Sequence, residues 1–409
     1  MAFTSIRRNL SREIVELCVL ICIIDAVSGI LSPTFSLFAE NLGVSLALLG
    51  IIITVGGLTQ LIVALPFGVL SDRIGRPTML AGGVVAFTLC LFTAAFAAGP
   101  TLLFTSRVLY GIGGVATFSI GAGYLGDITT REQRPFAFGL YTSAMGFGFA
   151  VGPFIGARLV ERYDARTAYV VGGLMALAGL LLALRILRVA NRRKDAPARV
   201  RASGLGNIRG ILHQHDLMLV TFGNMLMSLA FAGGVTTFFP IYADDLLISQ
   251  ASIGSMFAIR ALVSTLGRVP NGMISRLLGN QSVMLSALLI DTLVMFSIGR
   301  TADPTLLTLL LAIEGLAFGA YLVSGQTYVA DHTSFENRGA AVGVYSTASS
   351  LGSAIAPFVL GFVASAYGVR IVFTVTGAIL ALGSLFSVVG YLILARTQAH
   401  ALAPESADS

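Results

Sequence analysis

Gly139-Leu-Tyr141-Thr-Ser-Ala144-Met-Gly-Phe-Gly148-Phe-Ala-Val-Gly152-Pro153-Phe154-Ile-Gly156-Ala157 lies inside an apolar run long enough to cross a bilayer. Ala144, Gly148, Gly152 and Gly156 recur every four residues, which places small side chains on one helix face and lets a second backbone approach closely. Pro153 removes the amide that would bond back to the carbonyl of Phe149, so a bend is expected there. The stretch returns 204 residues later: Tyr141, Ala144, Gly148, Pro153 and Phe154 reappear as Tyr345, Ala348, Gly352, Pro357 and Phe358.

The same offset holds on both sides of this stretch. Ala47, Gly50, Pro66, Gly68, Ser71 and Gly75 map to Ala251, Gly254, Pro270, Gly272, Ser275 and Gly279. Asp127 and Arg134 map to Asp331 and Arg338, and Tyr163 and Gly173 to Tyr367 and Gly377. A shift kept without gaps over this length means a duplicated chain. Two parallel repeats imply two bundles of the same orientation, related by an axis along the membrane normal, around a shared central cavity.

Composition sets the environment. Of 409 residues, 56% are hydrophobic and only 11% charged, with mean hydropathy +0.86. A soluble domain carries about 25% charged residues, so a polytopic membrane protein in contact with the lipid bilayer is expected. Spans fall at 15–38, 46–70, 78–98, 102–126, 136–158, 167–188, 214–242, 251–274, 283–299, 305–328, 339–363 and 371–395, an all-α protein of twelve transmembrane helices. Residues 1–188 then form an N-terminal six-helix bundle, 189–213 a cytoplasmic linker, 214–395 a C-terminal bundle and 396–409 a tail. The first run keeps Asp25 inside it and lacks a cleavage site, so no removable signal is expected.

Charge gives orientation. Eighteen of the 26 Lys and Arg fall on one side, including Arg7, Arg8, Arg12, Arg131, Arg134 and the cluster from Arg185 to Arg209. The other side holds Arg158, Arg162, Arg166, Arg300 and Arg370. The positive-inside rule puts both termini in the cytoplasm of a cell (plasma or inner) membrane. The net charge of +6 therefore reports topology rather than nucleic-acid binding. Cys18, Cys22 and Cys90 lie in apolar runs as reduced packing residues, and four scattered histidines make no metal site; no cofactor is expected.

Gly68-Val-Leu-Ser71-Asp72-Arg73-Ile-Gly75-Arg76 follows the second helix as a short cytoplasmic loop. It resembles the signature loop of the major facilitator superfamily, and the duplicated twelve-helix layout resembles that family over essentially the whole chain. The glycines permit a tight turn. Asp72 can cap a neighbouring helix N-terminus when the inside is closed, while Arg73 and Arg76 can reach acidic groups such as Asp127. The second copy puts Arg276 in place of the acid, so an asymmetric latch is expected.

Arg107-Val-Leu-Tyr110-Gly111-Ile-Gly113-Gly114 resembles the family's second motif. Gly139, Gly148, Gly152, Pro153 and Gly156 resemble its third, with Ala157 where the pattern has a further glycine. That motif is characteristic of the branches that exchange drugs for protons, and the resemblance therefore implies export. In the second copy Gly152 becomes Ala356 and Gly156 becomes Leu360. The intact stretch is expected to seal one side of the cavity against proton leak.

An ionised side chain at mid-bilayer costs about 2.5–3.5 kcal/mol even on the lenient insertion scale, so each needs a reason. Asp25, Arg107, Arg260, Asp291 and Glu314 lie well within spans. At about 1.5 Å per residue, Arg260 and Glu314 both come about 21 Å from the cytoplasmic ends, which suggests a pair; Asp25 and Arg107 differ by about 13 Å, too far for a direct bond. The resemblance places helices 1, 4, 7 and 10 around the cavity, hence Asp25, Arg107 and Glu314 within reach of solvent, and helix 9 with Asp291 at the periphery. Asp25 with Gly29 and Pro33, together with Asp291, is similar to the arrangement in tetracycline-type exporters. Arg268 reads as a snorkelling side chain, and Phe35, Phe231, Phe238, Tyr242, Tyr321 and Tyr345 as cavity aromatics.

The reading is a proton-coupled secondary exporter of small amphipathic molecules, functional as a monomer, with a small-molecule substrate and protons as its partners; Asp25 or Glu314, with Asp291 as a further candidate, is expected to take a proton from outside as substrate leaves. A sugar or metabolite exporter, or a proton symporter, on the same scaffold is the alternative. An enzyme is disfavoured, because no nucleophile–base or metal constellation appears.

Overall fold

The computed structural model describes residues 11–130, 132–192, 208–334 and 337–402. Among them are twelve long helices: α1 Arg12–Asn41, α2 Leu46–Ile74, α3 Arg76–Ala95, α4 Pro100–Ile128, α5 Arg134–Arg162 and α6 Ala165–Arg192. After a short helix, Ile208–Leu212, come α7 His215–Asp245, α8 Gln250–Leu278, α9 Asn280–Ile298, α10 Pro304–Asp331, α11 Arg338–Tyr367 and α12 Val369–Leu402. Eleven are long and apolar enough to cross a membrane. The remaining one, α8, has 29 residues and carries Arg260, Arg268 and Arg276 along its length. Arg7, Arg8 and Arg131, most of the linker and the tail beyond 402 lie outside the described residues.

Local chemistry repeats with the sequence. Ser45 Oγ accepts from the Leu48 amide at the start of α2, and its copy Ser249 Oγ accepts from Ser252 at the start of α8. Gly75, φ +94°, is the single residue between α2 and α3, and Gly279, φ +86°, the single residue between α8 and α9. Such φ values are costly for any residue with a Cβ. The stretch 68–76 is therefore not a loop: residues 68–74 are the last turns of α2, and Arg76 opens α3. Helical hydrogen bonds satisfy the backbone in lipid almost to the turn itself.

The first six helices pack together, as do the last six. In each set the first helix is the most enclosed: Leu17, Leu20, Ile21, Ile24, Val27, Ile30 and Leu31 of α1 are all fully buried. The small face of α5 lies against α1. A Cβ added at Gly148 would run into the carbonyl of Cys22 and come within 3.0 Å of the Ala26 amide nitrogen. One at Gly152 would strike the carbonyl of Ala26 and lie 2.8 Å from the Cα of Gly29; one at Gly156 would lie 3.0 Å from the Cα of Ile30. The small-residue face from Gly148 to Gly156 is thus a seam within the first bundle. Gly139 has nothing within 4 Å and takes no part in it.

The second copy solves the same contact differently. Gly233 of α7, the counterpart of Gly29, faces Ala356 and Leu360, and α7 widens there into a π-helical segment, Ala230–Phe238. α4 carries a shorter one, Val115–Ser119.

The bundles meet at one end only, the face remote from Gly75 and Gly279. There α2 crosses α11: Thr54 Oγ1 donates to the Ala354 carbonyl at 2.8 Å, and a Cβ at Gly57 would lie 2.8 Å from the Cβ of Ala354. The symmetric crossing of α8 and α5 presses Gly254 on Pro153 and Ala157, and Thr265 on Gly146. The stripe Gly50, Thr54 and Gly57 continues along α2 as Leu65, Gly68 and Asp72, and these are exposed, Leu65 at 70% and Asp72 with 61% of its side chain free. Gly68, Gly139 and Gly343 have nothing within 4 Å. A cleft therefore opens on the face that carries residues 11, 75 and 279.

Gly152→Leu is expected to destabilise the purified protein by about 1–3 kcal/mol or more, because the added side chain meets backbone that cannot yield. Gly139→Ala should leave the transition unchanged. Thermal unfolding in detergent measures both; equal stability of the two variants would contradict the seam.

Candidate functional site

Helix α1 carries Asp25 into the first bundle, where it is about nine-tenths buried and accepts no hydrogen bond from the described residues. Cys22 on its own helix, Tyr110 on α4, Tyr141 on α5 and Arg268 on α8 lie within electrostatic range of it. Its depth is set by the seam, since Gly148 packs on Cys22 and Ala26 on either side of it. Tyr141 is held in turn by its hydroxyl, which donates to the Phe118 carbonyl at 2.9 Å.

Arg107 does not face the cleft. Its guanidinium lies 3.5 Å from the ring centroid of Phe35 and 5.5 Å from that of Tyr110, with Cys90 of α3 and Tyr169 of α6 beside it. The residue is 7% exposed, and its Nε has no hydrogen-bond partner. Its surroundings are the interior of the first bundle, where cation–π contact with Phe35 replaces a carboxylate. No ion pair joins it to Asp25. This placement corrects the expectation that Arg107 lines the cavity.

In the second bundle, Arg260 of α8 and Glu314 of α10 form a bidentate pair. Nη2 donates to Oε1 at 2.8 Å and Nε donates to Oε2, with the side chains 3% and 0% exposed. Gly315 makes room: a Cβ there would lie 3.0 Å from Cγ of Arg260. The guanidinium also lies 4.1 Å from the ring of Phe231 and 5.4 Å from that of Phe318. Phe149 of α5 touches Phe231 edge-on at 6.4 Å, so the first bundle closes this cage. Glu314 is thereby shut off from the cleft rather than open to solvent.

Asp291 on α9 is not peripheral. It is fully buried, neither carboxyl oxygen has a hydrogen-bond partner, and Glu314 and Arg260 lie within electrostatic range. One guanidinium thus stands among two carboxyl groups in dry surroundings, an arrangement able to hold one proton. The face that Asp291 turns inward depends on the rotation of α9, which its flat hydrophobic pattern does not indicate.

At the open face, Arg76 Nη1 donates to Asp127 Oδ2 at 2.9 Å and to the Gly123 carbonyl at 2.7 Å. Asp72 lies 3.6 Å from Arg76, one turn on, and caps no helix in this open state. Arg73 borders an apolar groove with Leu65, Pro66, Val69 and Leu70. In the second copy Asn280 stands where Arg76 stands in the first, and Arg268, Arg276 and Asp331 line a polar recess of the cleft.

The aromatics divide. Phe35 and Phe231 carry the two buried guanidinium groups, whereas Phe238 is core, and the hydroxyls of Tyr242 and Tyr321 donate to the carbonyls of Thr301 and Val220. Tyr345, whose hydroxyl finds no partner, lies against Gly325 within the second bundle. Sequence reading missed Tyr110 and Phe318. Each lies one helical turn beyond a membrane charge, Arg107 and Glu314, and that spacing was the available signal.

A family profile of the Major Facilitator Superfamily matches residues 17–246 and 217–408. The multidrug resistance protein MdtG of Citrobacter koseri is 22% identical over 371 residues, covering 88% of this chain and 90% of its own. Among solved structures, a mutant of the nucleoside transporter NupG matches with TM-score 0.78 at 15% identity, covering 93% of this chain and 100% of its own. A bacterial homologue of the human lysosomal transporter Spinster, in an inward-facing and occupied conformation, matches with TM-score 0.78 at 15% identity, covering 92% and 96%. These two likenesses concern the fold.

Arg260→Met alone should cost about 3–5 kcal/mol, since Glu314 would be left buried without its cation. Arg260→Met combined with Glu314→Met should cost less than either single change. Thermal melts of the three variants test this, and additive losses would show that the pair is not a unit.

Proposed function

This chain belongs to the Major Facilitator Superfamily, and from that premise we propose that it is a proton-coupled exporter of small amphipathic molecules. The observation that carries the reading is Asp25: a nine-tenths buried carboxyl within the membrane span that accepts no hydrogen bond from the described residues. A membrane carboxyl left unpaired is costly unless it can exchange a proton. Similarity to MdtG supports the substrate class, and the intact Gly139, Gly148, Gly152, Pro153 and Gly156 pattern supports the direction.

The bias of Lys and Arg towards one side supports a cytoplasmic open face and cytoplasmic termini, and on that basis the cleft opens inward. Substrate enters the cleft from the cytoplasm or inner leaflet while Asp25 gives its proton to cleft water. The bundles 1–188 and 214–395, joined by 189–213, then rock about the α2–α11 and α5–α8 crossings. Gly68, Asp72 and Gly139 meet the opposite bundle as the cytoplasmic end closes, and Arg73 and the Arg76–Asp127 pair hold the turn in shape. From outside, a proton returns to Asp25 and substrate leaves. Glu314 stays bound to Arg260 throughout; Asp291 is the second proton-holding group. One chain suffices for the cycle.

Asp25→Asn is expected to abolish substrate-driven proton movement in proteoliposomes, at least about tenfold, while the purified variant still binds ethidium, used as a lipophilic cationic probe. Wild-type rates of ethidium-driven proton release from the variant would overturn the assignment. Release of protons from the side where ethidium is added indicates exchange; co-entry would indicate symport.

A further inference from the structure

Resting on the reading of Asp25 as the proton carrier, we infer that Arg268 of α8 is the positioning residue that controls, from the opposite bundle, whether Asp25 keeps or releases its proton.

The levels of the helices bring the two together. Thr265 of α8 packs on Gly146 of α5, and Gly148 of α5 packs on Cys22 and Ala26 of α1. Arg268, three residues beyond Thr265, follows on the same face of α8, about 4.5 Å nearer the open end than that crossing, and its side chain comes within electrostatic range of Asp25. It lines the cleft recess with Gly272, Arg276 and Asp331. Its Nε is buried without a hydrogen-bond partner, and no described carboxylate forms an ion pair with it. Each of Asp25 and Arg268 lies in the other's electrostatic range.

Two further observations separate this arginine from a snorkelling side chain. It sits ten residues before Leu278, the last of α8, about 15 Å short of the helix end. Its counterpart in the first repeat is Ala64, so the duplicated fold does not demand a cation at this position. A guanidinium that the repeat does not require, set well inside the helix, calls for a counter-charge, and a carboxylate across the cleft supplies one.

The control follows from which parts move together. Around Asp25, Cys22, Tyr110 and Tyr141 belong to its own bundle and keep their distances when the bundles rock. The helices packed on α1 carry most of their other charges near their ends: Asp72 and Arg73 of α2, Arg76 of α3, Asp127 of α4, Arg134, Arg158, Glu161 and Arg162 of α5, Arg166, Arg185, Arg188 and Arg192 of α6, and His215, Asp216, Asp244 and Asp245 of α7; Arg107 of α4 lies over Phe35, in the same bundle as Asp25, and Arg260 of α8 is paired with Glu314. Arg185 is already tied to Glu16 at 3.3 Å. Arg268 alone among these groups is both close to Asp25 and carried by the other bundle. A nearby guanidinium favours the carboxylate over the acid, so in the state open to the cleft it promotes passage of the proton to cleft water.

Infrared titration of the carboxyl band in the purified full chain, reconstituted in liposomes, tests this without any substrate. Asp25→Asn identifies the band by removing it. Arg268→Gln should move the midpoint of that band to higher pH by about one unit, and Arg268→Lys should restore it most of the way. An unmoved midpoint in folded Arg268→Gln overturns the role of Arg268 while leaving Asp25 as carrier. If Arg268→Gln fails to fold, a wild-type midpoint in Arg268→Lys together with an unmoved midpoint in Arg268→Met overturns it instead. Absence of a titrating Asp25 band in the wild type overturns the underlying reading as well.

Discussion

The approach of α5 to α1 is the contact on which the rest of the molecule depends. Gly148, Gly152 and Gly156 each sit where a Cβ would collide with the backbone of α1 between Cys22 and Ile30. In lipid, apolar surface gives little reason for one helix to prefer another; close backbone packing does. The seam makes the first bundle a stiff body and fixes Asp25 at one depth, because its neighbours on either side are clamped. Pro153 belongs to the same construction twice. Its ring packs on Gly29, and its carbonyl lies beside Gly254 of the opposite bundle.

Buried charge is handled in two ways. Arg260 and Glu314 neutralise each other with two hydrogen bonds inside an aromatic cage. Arg107 is stabilised by the rings of Phe35 and Tyr110 within the first bundle. Both carboxyl oxygens of Asp291 are buried without a partner, and Asp25 forms no ion pair among the described residues. Neither is tied to a cation by a hydrogen bond as Glu314 is, which is why the proposed coupling is assigned to them rather than to the paired glutamate.

The duplication is faithful where the bundles touch and unfaithful where they differ in duty. Gly50 against Pro357 repeats as Gly254 against Pro153, so the closed end is built twice from one pattern. At the open end the first copy joins Arg76 to Asp127, whereas the second has Asn280 beside Asp331 and leaves Arg276 and Arg268 in the cleft. Within the second bundle, Leu360 in place of a glycine is accommodated by the π-helical turn of α7. A side chain too large for a close seam is absorbed by widening the partner helix rather than by separating the two.

Much of this was legible in the chain itself. Hydropathy, the constant offset and the four-residue spacing of glycines are local regularities, and each dictates structure without knowledge of distant partners; twelve helices, their duplication and the small face of α5 follow. The Arg260–Glu314 pair was also accessible, because depth along a helix is a simple count of residues. What depends on the rotation of each helix about its axis was not accessible. Arg107 turned inward instead of towards the cleft, Asp291 turned inward from a helix read as peripheral, and Arg268 came to line a recess of the cleft. Nor could the sequence say which end is shut, since glycines suited to close crossing lie at both ends of α2, α5, α8 and α11, and only assembled packing selects one set. Periodicity specifies the elements and their faces; the azimuth of a buried charge and the angle between bundles arise only when all helices compete for the same interior space.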